Sequence, residues 1–275
     1  MPRAINGTSL EVTKPFLKWA GGKSQLIGNL INLIPSNFNK YIEPFIGGGA
    51  LYFALSYHNS IISDSNEELI ITYNEVKNNV NDVIEELKCL NNTESDYYRI
   101  RSINPVDLSN SKRAARLIYL NKTCFNGLFR VNKKGEFNVP YGKRSGPFLN
   151  EENLKAASIA LTNTRIIHSD YKPLLMENAK KGDFIFLDPP YKPVGEYSDF
   201  KRYTKEQFYD NDQIELAEIF KKLVKKGCHV LLTNSDHPII LDLYKSFDIR
   251  IIETRRMISS NAATRTGKDI IVIGG

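Results

Sequence analysis

Cysteine and histidine are scarce in this chain of 275 residues. The three cysteines are odd in number and far apart, and neither they nor the four histidines have the spacing of metal ligands. Such a pattern is typical of reduced thiols and argues against a disulfide framework. We therefore expect no bound metal, and any chemistry has to come from other side chains.

Long apolar runs are missing as well. No stretch reaches the length that spans a membrane, and the first residues lack the hydrophobic segment of a signal peptide. The composition is otherwise that of a globular protein, with 41% apolar and 25% charged residues. A net charge of +6 weakly favours a polyanionic partner. We expect a cytoplasmic protein without a membrane partner.

A short apolar strand followed by a carboxylate is the feature around which the chain is organised. Residues 184–187 are apolar, and the two prolines after Asp188 end any strand there, because proline cannot donate to a sheet. The tetrapeptide Asp188-Pro189-Pro190-Tyr191 thus follows a buried strand, at the edge where open α/β sheets bind ligands. A strand-ending turn with a solvated tyrosine would have the same sequence, so the neighbouring segments must distinguish the two.

A glycine-rich turn earlier in the chain predicts a nucleoside site. Residues 41–51 indicate a strand, a turn of three glycines at 47–49 and the start of a helix. The next strand ends at Asp64, where a carboxylate can accept hydrogen bonds from ribose hydroxyls. The glycine spacing differs from the dinucleotide pattern, so we expect a cofactor smaller than NAD. The glycines at 21–22 are not a phosphate loop, because position 17 is leucine where that motif needs glycine.

Residues 66–121 carry helical patterns and interrupt the alternation of strands and helices, as an inserted domain would. The next segment predicts a β-hairpin, with Phe129 and Val131 before a glycine turn and Phe137 and Val139 after it. From residue 112 to residue 144, nine basic residues stand against one acid. A basic run is usually only a solvated face, but one this one-sided on a hairpin is typical of nucleic-acid recognition.

The second half of the chain returns to alternating strands and helices. Residues 194–203 predict a mobile loop, and a long amphipathic helix is expected from about residue 205 to about residue 226. Residues 255–268 contain four cations, small hydroxylated residues and no acid, a composition that suits contact with phosphates. The pattern as a whole predicts an α/β fold with a doubly wound sheet.

An Asp-Pro-Pro-Tyr site next to a nucleoside-sized cofactor site indicates methyl transfer from S-adenosylmethionine to an amino group. The exocyclic amine of a base is a poor nucleophile, because its lone pair is delocalised into the ring. Asp188 and the carbonyl of Pro189 can each accept one amino hydrogen and orient that lone pair, which is catalysis by positioning and electrostatics. Tyr191 offers a ring on which the base stacks after it leaves the duplex.

Together these ordered motifs resemble the Dam-type DNA adenine-N6 methyltransferases. The matching segments are Phe16-Leu17-Lys18-Trp19-Ala20-Gly21-Gly22-Lys23, residues 43–49, Asn126-Gly127-Leu128 with Arg130, residues 135–142, Asp188-Pro189-Pro190-Tyr191 and residues 258–261. The resemblance implies a Rossmann-like methyltransferase sheet with an inserted, mainly helical DNA-recognition domain that carries the hairpin. The catalytic domain would be discontinuous, over residues 1–66 and 152–275, and the recognition domain would be residues 67–151. S-adenosylmethionine would be the cofactor and double-stranded DNA the partner.

The resemblance also implies three sets of site residues. The catalytic set would be Asp188, Pro189, Pro190 and Tyr191. The cofactor set would be Trp19, Ala20, Gly21, Lys23, Glu43, Phe45, Gly47, Asp64, Asp170, Tyr171 and Asp188, with Asp64 on the ribose and Asp170 on the adenine amino group. The DNA set would be Lys18, Phe125, Asn126, Leu128, Arg130, Asn132, Pro140, Tyr141, Arg256, Ser259, Asn261 and Arg265. Arg130 is the candidate for a bidentate guanine contact.

The expected target is adenine in GATC, the site that the hairpin of this family recognises. The alternative is a longer site that contains GAT, because relatives with such sites share much of the hairpin. A cognate restriction endonuclease would be a further partner in a restriction–modification pair. A solitary, nucleoid-associated enzyme that acts in repair or gene control is the other setting.

Three other classes of protein fit the sequence less well. An α/β domain with incidental motifs would need several independent sites to coincide in order. A non-catalytic DNA-binding protein is opposed by the intact Asp188 and glycine turn. A methyltransferase for RNA or protein is opposed by the basic hairpin and by aspartate, rather than asparagine, at the first position of the catalytic motif.

Overall fold

A computed structural model of the chain describes residues 13–19, 23, 26–132, 134–143, 146–192, 208–255 and 266–275. Within this part, seven strands form one sheet. The strands are β1 (Tyr41–Glu43), β2 (Ser60–Asp64), β3 (Thr164–His168), β4 (Phe184–Leu187), β5 (His229–Ser235), β6 (Asp248–Arg255) and β7 (Thr266–Gly274). The α-helices are α1 (Ile27–Ile31), α2 (Ala50–Leu55), α3 (Glu67–Asn78), α4 (Val80–Lys88), α5 (Glu94–Ser102), α6 (Asn110–Thr123), α7 (Glu151–Leu161), α8 (Tyr171–Asn178), α9 (Asp210–Lys225) and α10 (Pro238–Leu243).

The strand order is β3-β2-β1-β4-β5-β7-β6. The first five strands of this order run parallel, and β7 pairs antiparallel with both β5 and β6. β1 lies between β2, which follows it in the chain, and β4, which comes much later. The strand order therefore changes direction between β1 and β4, which makes this the topological switch point of the sheet. Such sheets bind ligands in the crevice beyond the carboxyl ends of these two strands.

The central strands are apolar because both of their faces are covered. All residues of β1 and β4 are buried, as are most of β2 and β5. Parallel sheets with helices on both faces produce such continuous apolar strands. Asparagine and aspartate start several of the covering helices by accepting a backbone N–H, as Asn66 does for α3, Asn150 for α7 and Asp170 for α8. The α/β fold class predicted from the sequence is confirmed.

One hydrophobic core joins the sheet to the helices between β2 and β3. It contains Tyr41 and Phe184 from the sheet, Tyr97 and Leu117 from the helices, and Phe137 from the predicted hairpin. A second cluster lies on the other face of the sheet, under α8, α9 and α10. The division into residues 1–66 with 152–275 and residues 67–151 remains a prediction, and the two parts share a continuous core.

Two details differ from the sequence-based prediction. The hairpin is held by two isolated bridges, Val131 with Phe137 and Cys124 with Tyr141, rather than by regular strands. The long helix α9 begins at Asp210, with Tyr209 at its N-cap and Asp212 closing a capping box. Residues 208–209 are not helical, so they do not support the predicted start near residue 205. The predicted loop at 194–203 and most of the basic segment at 255–268 lie outside the described residues.

No helix in the described ranges is both long and apolar enough to cross a membrane. Those same ranges contain no group of three or more His, Cys, Asp or Glu side chains that could hold a metal ion.

Candidate active site

The tetrapeptide Asp188-Pro189-Pro190-Tyr191 lies at the reversal point of the sheet. Asp188 directly follows β4, and Glu43 ends the neighbouring strand β1, whose Ile42 pairs with Ile185. The carboxyl ends of β1 and β4 therefore lie side by side, and the glycine turn at 47–49 follows β1. The topology thus brings the predicted catalytic motif and the predicted cofactor turn to one crevice.

One oxygen of Asp188 is held from two sides. Lys23 Nζ lies 2.7 Å from Asp188 Oδ1, and the hydroxyl of Thr233 donates to the same oxygen at 2.7 Å. The Lys23 side chain is 5% exposed and that of Asp188 is 20% exposed, so the pair is shielded yet open at one end. Neither contact uses Oδ2, which remains available to accept from an amino group. Lys23, predicted to contact the cofactor, thus lies against the predicted catalytic carboxylate.

Lys23 also lies over the ring of Tyr191, with Nζ 4.5 Å from the ring centroid. A cation at this distance is attracted to the ring face and favours one orientation of the ring. Asp188, Lys23 and Tyr191 therefore form one interconnected group.

Thr233 was not predicted from the sequence. The available signal was a run of polar residues, Thr233 to Ser235, at the carboxyl end of the strand next to β4.

The first two glycines of the turn after β1 pack under Trp19, which leaves no room for a side chain at either position. A Cβ at Gly47 would lie 2.7 Å from Trp19 Cδ1, and one at Gly48 would lie 3.1 Å from Trp19 Cβ. Gly47 and Gly49 have positive φ, a conformation that L side chains rarely adopt. The hydroxyl of Tyr73, another residue that was not predicted, donates to the carbonyl of Gly47 at 3.0 Å.

Asp64 lies beside the glycine turn, as predicted. Its Oδ2 accepts from Gly47 N at 3.2 Å and its Oδ1 from Asn66 N at 3.0 Å. Burial raises the pKa of Asp64 to about 6, against the lowering effect of these two N–H donors. Each carboxylate oxygen retains a lone pair, so the group can still accept from hydroxyls of a ligand.

The remaining cofactor candidates line the neighbouring strand ends. Phe45 packs against Tyr171 in a tilted arrangement, with ring centroids 5.1 Å apart. Asp170 caps α8 by accepting from Lys172 N at 2.9 Å, so only part of its acceptor capacity is used. Glu43 is 2% exposed and accepts from the Tyr41 hydroxyl at 2.7 Å, and burial raises its pKa well above the usual range. Ala20 and Gly21 lie outside the described residues.

These residues fit a nucleoside-containing cofactor. The glycine turn gives a backbone without side chains beside the carboxyl end of β1, Asp64 ends β2, and Asp170 comes two residues after β3. The rings of Phe45 and Tyr171 contact each other nearby. A glycine turn, carboxylate acceptors and aromatic rings are features that nucleoside sites combine.

In the predicted hairpin, Arg130 is fixed by a residue that was not predicted to contribute to the site. Its Nε donates to Asn138 Oδ1 at 2.8 Å and its Nη2 to the Asn138 carbonyl at 3.3 Å. The backbone N–H of Asn138 donates in turn to the Arg130 carbonyl at 3.1 Å. Both side-chain contacts use the Nε–Nη2 edge, so the Nη1 end of the guanidinium is the part that can contact another group.

The turn that precedes Arg130 exposes two other DNA candidates. Phe125 is 51% exposed, a large fraction for an aromatic ring, and Asn126 is exposed beside it. Asn126 has φ 56°, in the left-handed region that few residues other than glycine adopt. Leu128 is partly buried, and Pro140 is exposed where its carbonyl accepts from Phe125 N. An exposed ring and a constrained amide fit contact with an external ligand.

Two other DNA candidates use their polar atoms within the protein. Asn132 Oδ1 accepts from the N–H groups of Lys134 and Glu136 at 2.9 and 3.0 Å, which closes the hairpin turn. The hydroxyl of Tyr141 donates to the carbonyl of Asn92 at 3.0 Å. Both residues therefore have a clear structural role. Arg256, Ser259, Asn261 and Arg265 lie outside the described residues.

Lys18 joins the predicted hairpin to the catalytic part. Its backbone N–H donates to Asn121 Oδ1 at 2.8 Å, and Asn121 Nδ2 donates to the Lys18 carbonyl at 2.7 Å. The next residue, Trp19, stacks on Phe129 with ring centroids 4.7 Å apart. Because Trp19 also covers Gly47, its ring lies between the hairpin and the glycine turn.

Comparison with known proteins identifies the family. A family model described as D12 class N6 adenine-specific DNA methyltransferase matches residues 19–258. The chain is 42% identical to the Type II methyltransferase M.MjaIII of Methanocaldococcus jannaschii, over 92% of this chain and 95% of the relative. It is 41% identical to the Type II methyltransferase M1.LlaDCHI of Lactococcus lactis subsp. cremoris, over 92% of each chain. It is 31% identical to the DNA adenine methylase of Escherichia coli K12, over 94% of each chain. With this match and an Asp-Pro-Pro-Tyr turn beside a glycine turn, the chain belongs to the D12 class of N6 adenine-specific DNA methyltransferases.

Proposed function

We propose that this methyltransferase modifies the N6 amino group of adenine in GATC within double-stranded DNA, and that the adenine is flipped out of the duplex for the reaction. The observation that carries the proposal is the catalytic turn, in which Asp188 is held by Lys23 and Thr233 and Tyr191 is held under Lys23. A base cannot present its amino group to such a recessed turn while it stays paired.

In this proposal, Asp188 Oδ2 and the Pro189 carbonyl each accept one hydrogen of the amino group. The two acceptors favour a pyramidal nitrogen with its lone pair directed at the methyl donor, and the proton is lost after the nitrogen has reacted. Lys23 and Thr233 hold the carboxylate at the required place, which lowers the cost of reorganisation during the reaction. Tyr191 stacks on the flipped base and offsets part of the unstacking cost of a few kcal/mol.

The residues around the glycine turn would hold S-adenosylmethionine. Asp64 would accept from the ribose hydroxyls, Asp170 from the adenine amino group, and Phe45 would contact the adenine ring. When bound, the cofactor supplies an electrophilic methyl group on a sulfonium. Support for this assignment comes from the packing of Trp19 on the glycine turn and from the position of Asp64 beside Gly47.

The predicted hairpin would recognise the DNA sequence. Arg130, fixed by Asn138, would contact a guanine, and Phe125, Asn126 and Leu128 would contact neighbouring bases. Lys18 would lie beside the target pocket, and the basic segment with Arg256 and Arg265 would contact phosphates. Two of the compared relatives are named Type II methyltransferases. This supports a cognate restriction endonuclease as a partner, with the enzyme located on the host DNA.

Incubation with defined duplexes tests the proposal. Purified protein and S-adenosylmethionine should protect a GATC duplex from a nuclease that N6-methylation blocks, and chromatography of the digested product should detect N6-methyladenine. Matched duplexes with one base of the site replaced should stay unmodified. Asp188→Ala serves as the negative control. Methylation of adenine only in a longer GAT-containing site would replace GATC by the alternative target, and methylation of RNA alone would refute the proposal.

A further inference from the structure

Two buried amide side chains lie behind the catalytic turn. Gln213, on α9, is 1% exposed and Asn234, at the end of β5, is 0% exposed. Gln213 Nε2 donates to the carbonyl of Pro190 at 3.0 Å, and Asn234 Nδ2 donates to Gln213 Oε1 at 3.0 Å. Asn234 Oδ1 accepts from the backbone N–H of Lys192 at 3.3 Å. The two amides thus connect the backbone on both sides of Tyr191.

The chemistry of the turn explains why side chains provide these contacts. Pro189 and Pro190 have no N–H, so the backbone after β4 cannot continue a sheet ladder. The Pro190 carbonyl therefore needs a donor from elsewhere, which Gln213 supplies. The hydroxyl of Ser235 completes the arrangement by donating to the Lys192 carbonyl at 2.7 Å.

The orientation of both amides follows from their partners. Because the Pro190 carbonyl can only accept, the NH₂ group of Gln213 must face it, and Gln213 Oε1 must face Asn234. Asn234 then turns its own oxygen toward the N–H groups of Lys192 and Ser235, the latter at 2.8 Å. Reversing either amide would place like groups against each other. The pair therefore has one satisfied arrangement, which is a rigid one.

β5 also holds the first residue of the turn. Thr233 donates to Asp188, Asn234 accepts from Lys192, and Ser235 donates to Lys192. Three consecutive residues of one strand end therefore contact both ends of the catalytic segment. A shift of the end of β5 would therefore move the Pro189 carbonyl and the Tyr191 ring relative to Asp188.

We infer that Gln213 and Asn234 are positioning residues that fix the Pro189 carbonyl and the Tyr191 ring in the geometry required by the flipped adenine. The inference rests on the proposed function of the turn. Neither amide reaches the substrate, since both are buried behind the backbone that they hold. Their effect should appear in the chemical step and in the environment of the flipped base, rather than in the encounter with DNA.

Two substitutions of nearly unchanged shape test the inference. Gln213→Met removes the donor to Pro190, and Asn234→Asp removes the donor to Gln213 but keeps an acceptor for Lys192. Each should lower kcat by ~10-fold or more and leave KM for DNA and cofactor within about twofold. The double variant should lose about as much as the worse single variant, because both act through one chain of hydrogen bonds.

A second readout requires no turnover. A duplex with 2-aminopurine in place of the target adenine reports base flipping through its fluorescence, and S-adenosylhomocysteine can replace the methyl donor. Both variants should change the emission of the flipped base relative to the unsubstituted enzyme. Thr72→Val is the matched control, since Thr72 is also 0% exposed and its hydroxyl donates within α3 to the Glu68 carbonyl at 2.7 Å.

The outcomes separate the two proposals. If the unsubstituted enzyme methylates adenine and Asn234→Asp, with a melting temperature like that of Thr72→Val, keeps its kcat and its 2-aminopurine signal, the inference is wrong. A fall in kcat of equal size in Thr72→Val would also overturn it, because loss of a buried hydrogen bond anywhere would then suffice. Absence of methylation by the unsubstituted enzyme on every DNA duplex would instead refute the proposed function.

Discussion

At the residue scale, Asp188 is fixed through one of its two oxygens. Oδ1 is held by Lys23 and Thr233, and in the proposed function Oδ2 accepts from the substrate. The sequence singled out Asp188 and Lys23 as candidates, because both stand in short motifs. The sequence-based prediction assigned Lys23 only to the cofactor. The contact between Lys23 and Asp188 depends on the packing of distant segments, so no local pattern indicates it. Thr233 lies in no motif and was found only in the structure.

We predict that Asp188→Ala abolishes turnover and preserves binding. Loss of a group that orients the amino nitrogen should reduce kcat by ~100-fold or more. The dissociation constants for DNA and cofactor should change little, as measured by fluorescence anisotropy and calorimetry. Thr233→Val keeps the carboxylate and removes only the hydrogen bond from Thr233 to Asp188 Oδ1, so it should have a smaller effect on kcat. Full activity of Asp188→Ala would exclude its catalytic role.

Asp64 gives a prediction about pH. Burial raises its pKa to about 6. Ligand hydroxyls bind the ionised carboxylate better, so cofactor binding should lower this pKa by linkage. Affinity should therefore be constant above the pKa and fall as the pH decreases through it. Titration with S-adenosylhomocysteine, followed by the fluorescence of Trp19, measures this. The Asp64→Asn variant should bind S-adenosylhomocysteine more weakly, and its affinity should lose this part of the pH dependence. If the affinity of the variant falls with decreasing pH as that of the unsubstituted enzyme does, another group is responsible for the titration.

At the element scale, the hairpin combines a predictable pattern with an unpredicted geometry. Alternating apolar residues around a glycine turn indicated its two arms, and Phe129, Val131, Phe137 and Val139 are buried as that pattern requires. Regular strands did not form, and the return arm is instead held by side chains. The Val139 carbonyl accepts from the Tyr97 hydroxyl at 2.7 Å and from Arg101 at 3.0 Å. Such long-range contacts have no local sequence signal.

The contact between Arg130 and Asn138 leads to a prediction about specificity. Arg130→Ala should reduce discrimination at one guanine, by about 1–3 kcal/mol, more than it reduces affinity for nonspecific DNA. Asn138→Ala should have a weaker effect of the same kind, because the guanidinium loses its anchor. Competition binding with matched duplexes provides the measurement. The double variant should resemble Arg130→Ala. If specific and nonspecific affinities fall equally, Arg130 contacts only phosphate.

At the scale of the whole molecule, the predicted recognition and catalytic parts are physically continuous. The hydrophobic core passes from Tyr41 and Phe184 in the sheet to Tyr97 and Phe137 outside it. Asn121, on α6, makes two hydrogen bonds with the backbone of Lys18, and the ring of Trp19 packs on Phe129. Sequence patterns locate an insertion in the order of elements, but they do not show whether the insertion has a core of its own.

We predict one cooperative unfolding transition for the whole chain. A shared core couples the two parts, so the fluorescence of the single tryptophan and far-ultraviolet circular dichroism should change at the same denaturant concentration. Asn121→Ala should lower the midpoint, because it removes the two hydrogen bonds between the Asn121 side chain and the Lys18 backbone. Thr162→Ala, at an exposed residue of α7's end, is a suitable control. Two separate transitions would show that the parts fold independently.

The class of this protein follows from its amino-acid sequence. Its short motifs are local, so the strand ends, the glycine turn and the Asp-Pro-Pro-Tyr turn could be located from neighbouring residues, and the family followed from their order. The groups that surround these motifs become apparent only in the folded chain. The contacts of Lys23 with Asp188, of Asn121 with Lys18 and of the Gln213–Asn234 pair with the turn at Pro190 join segments that are separate in the chain. Buried polar groups find their partners through the packing of whole elements, and that packing is not encoded in any one stretch of residues.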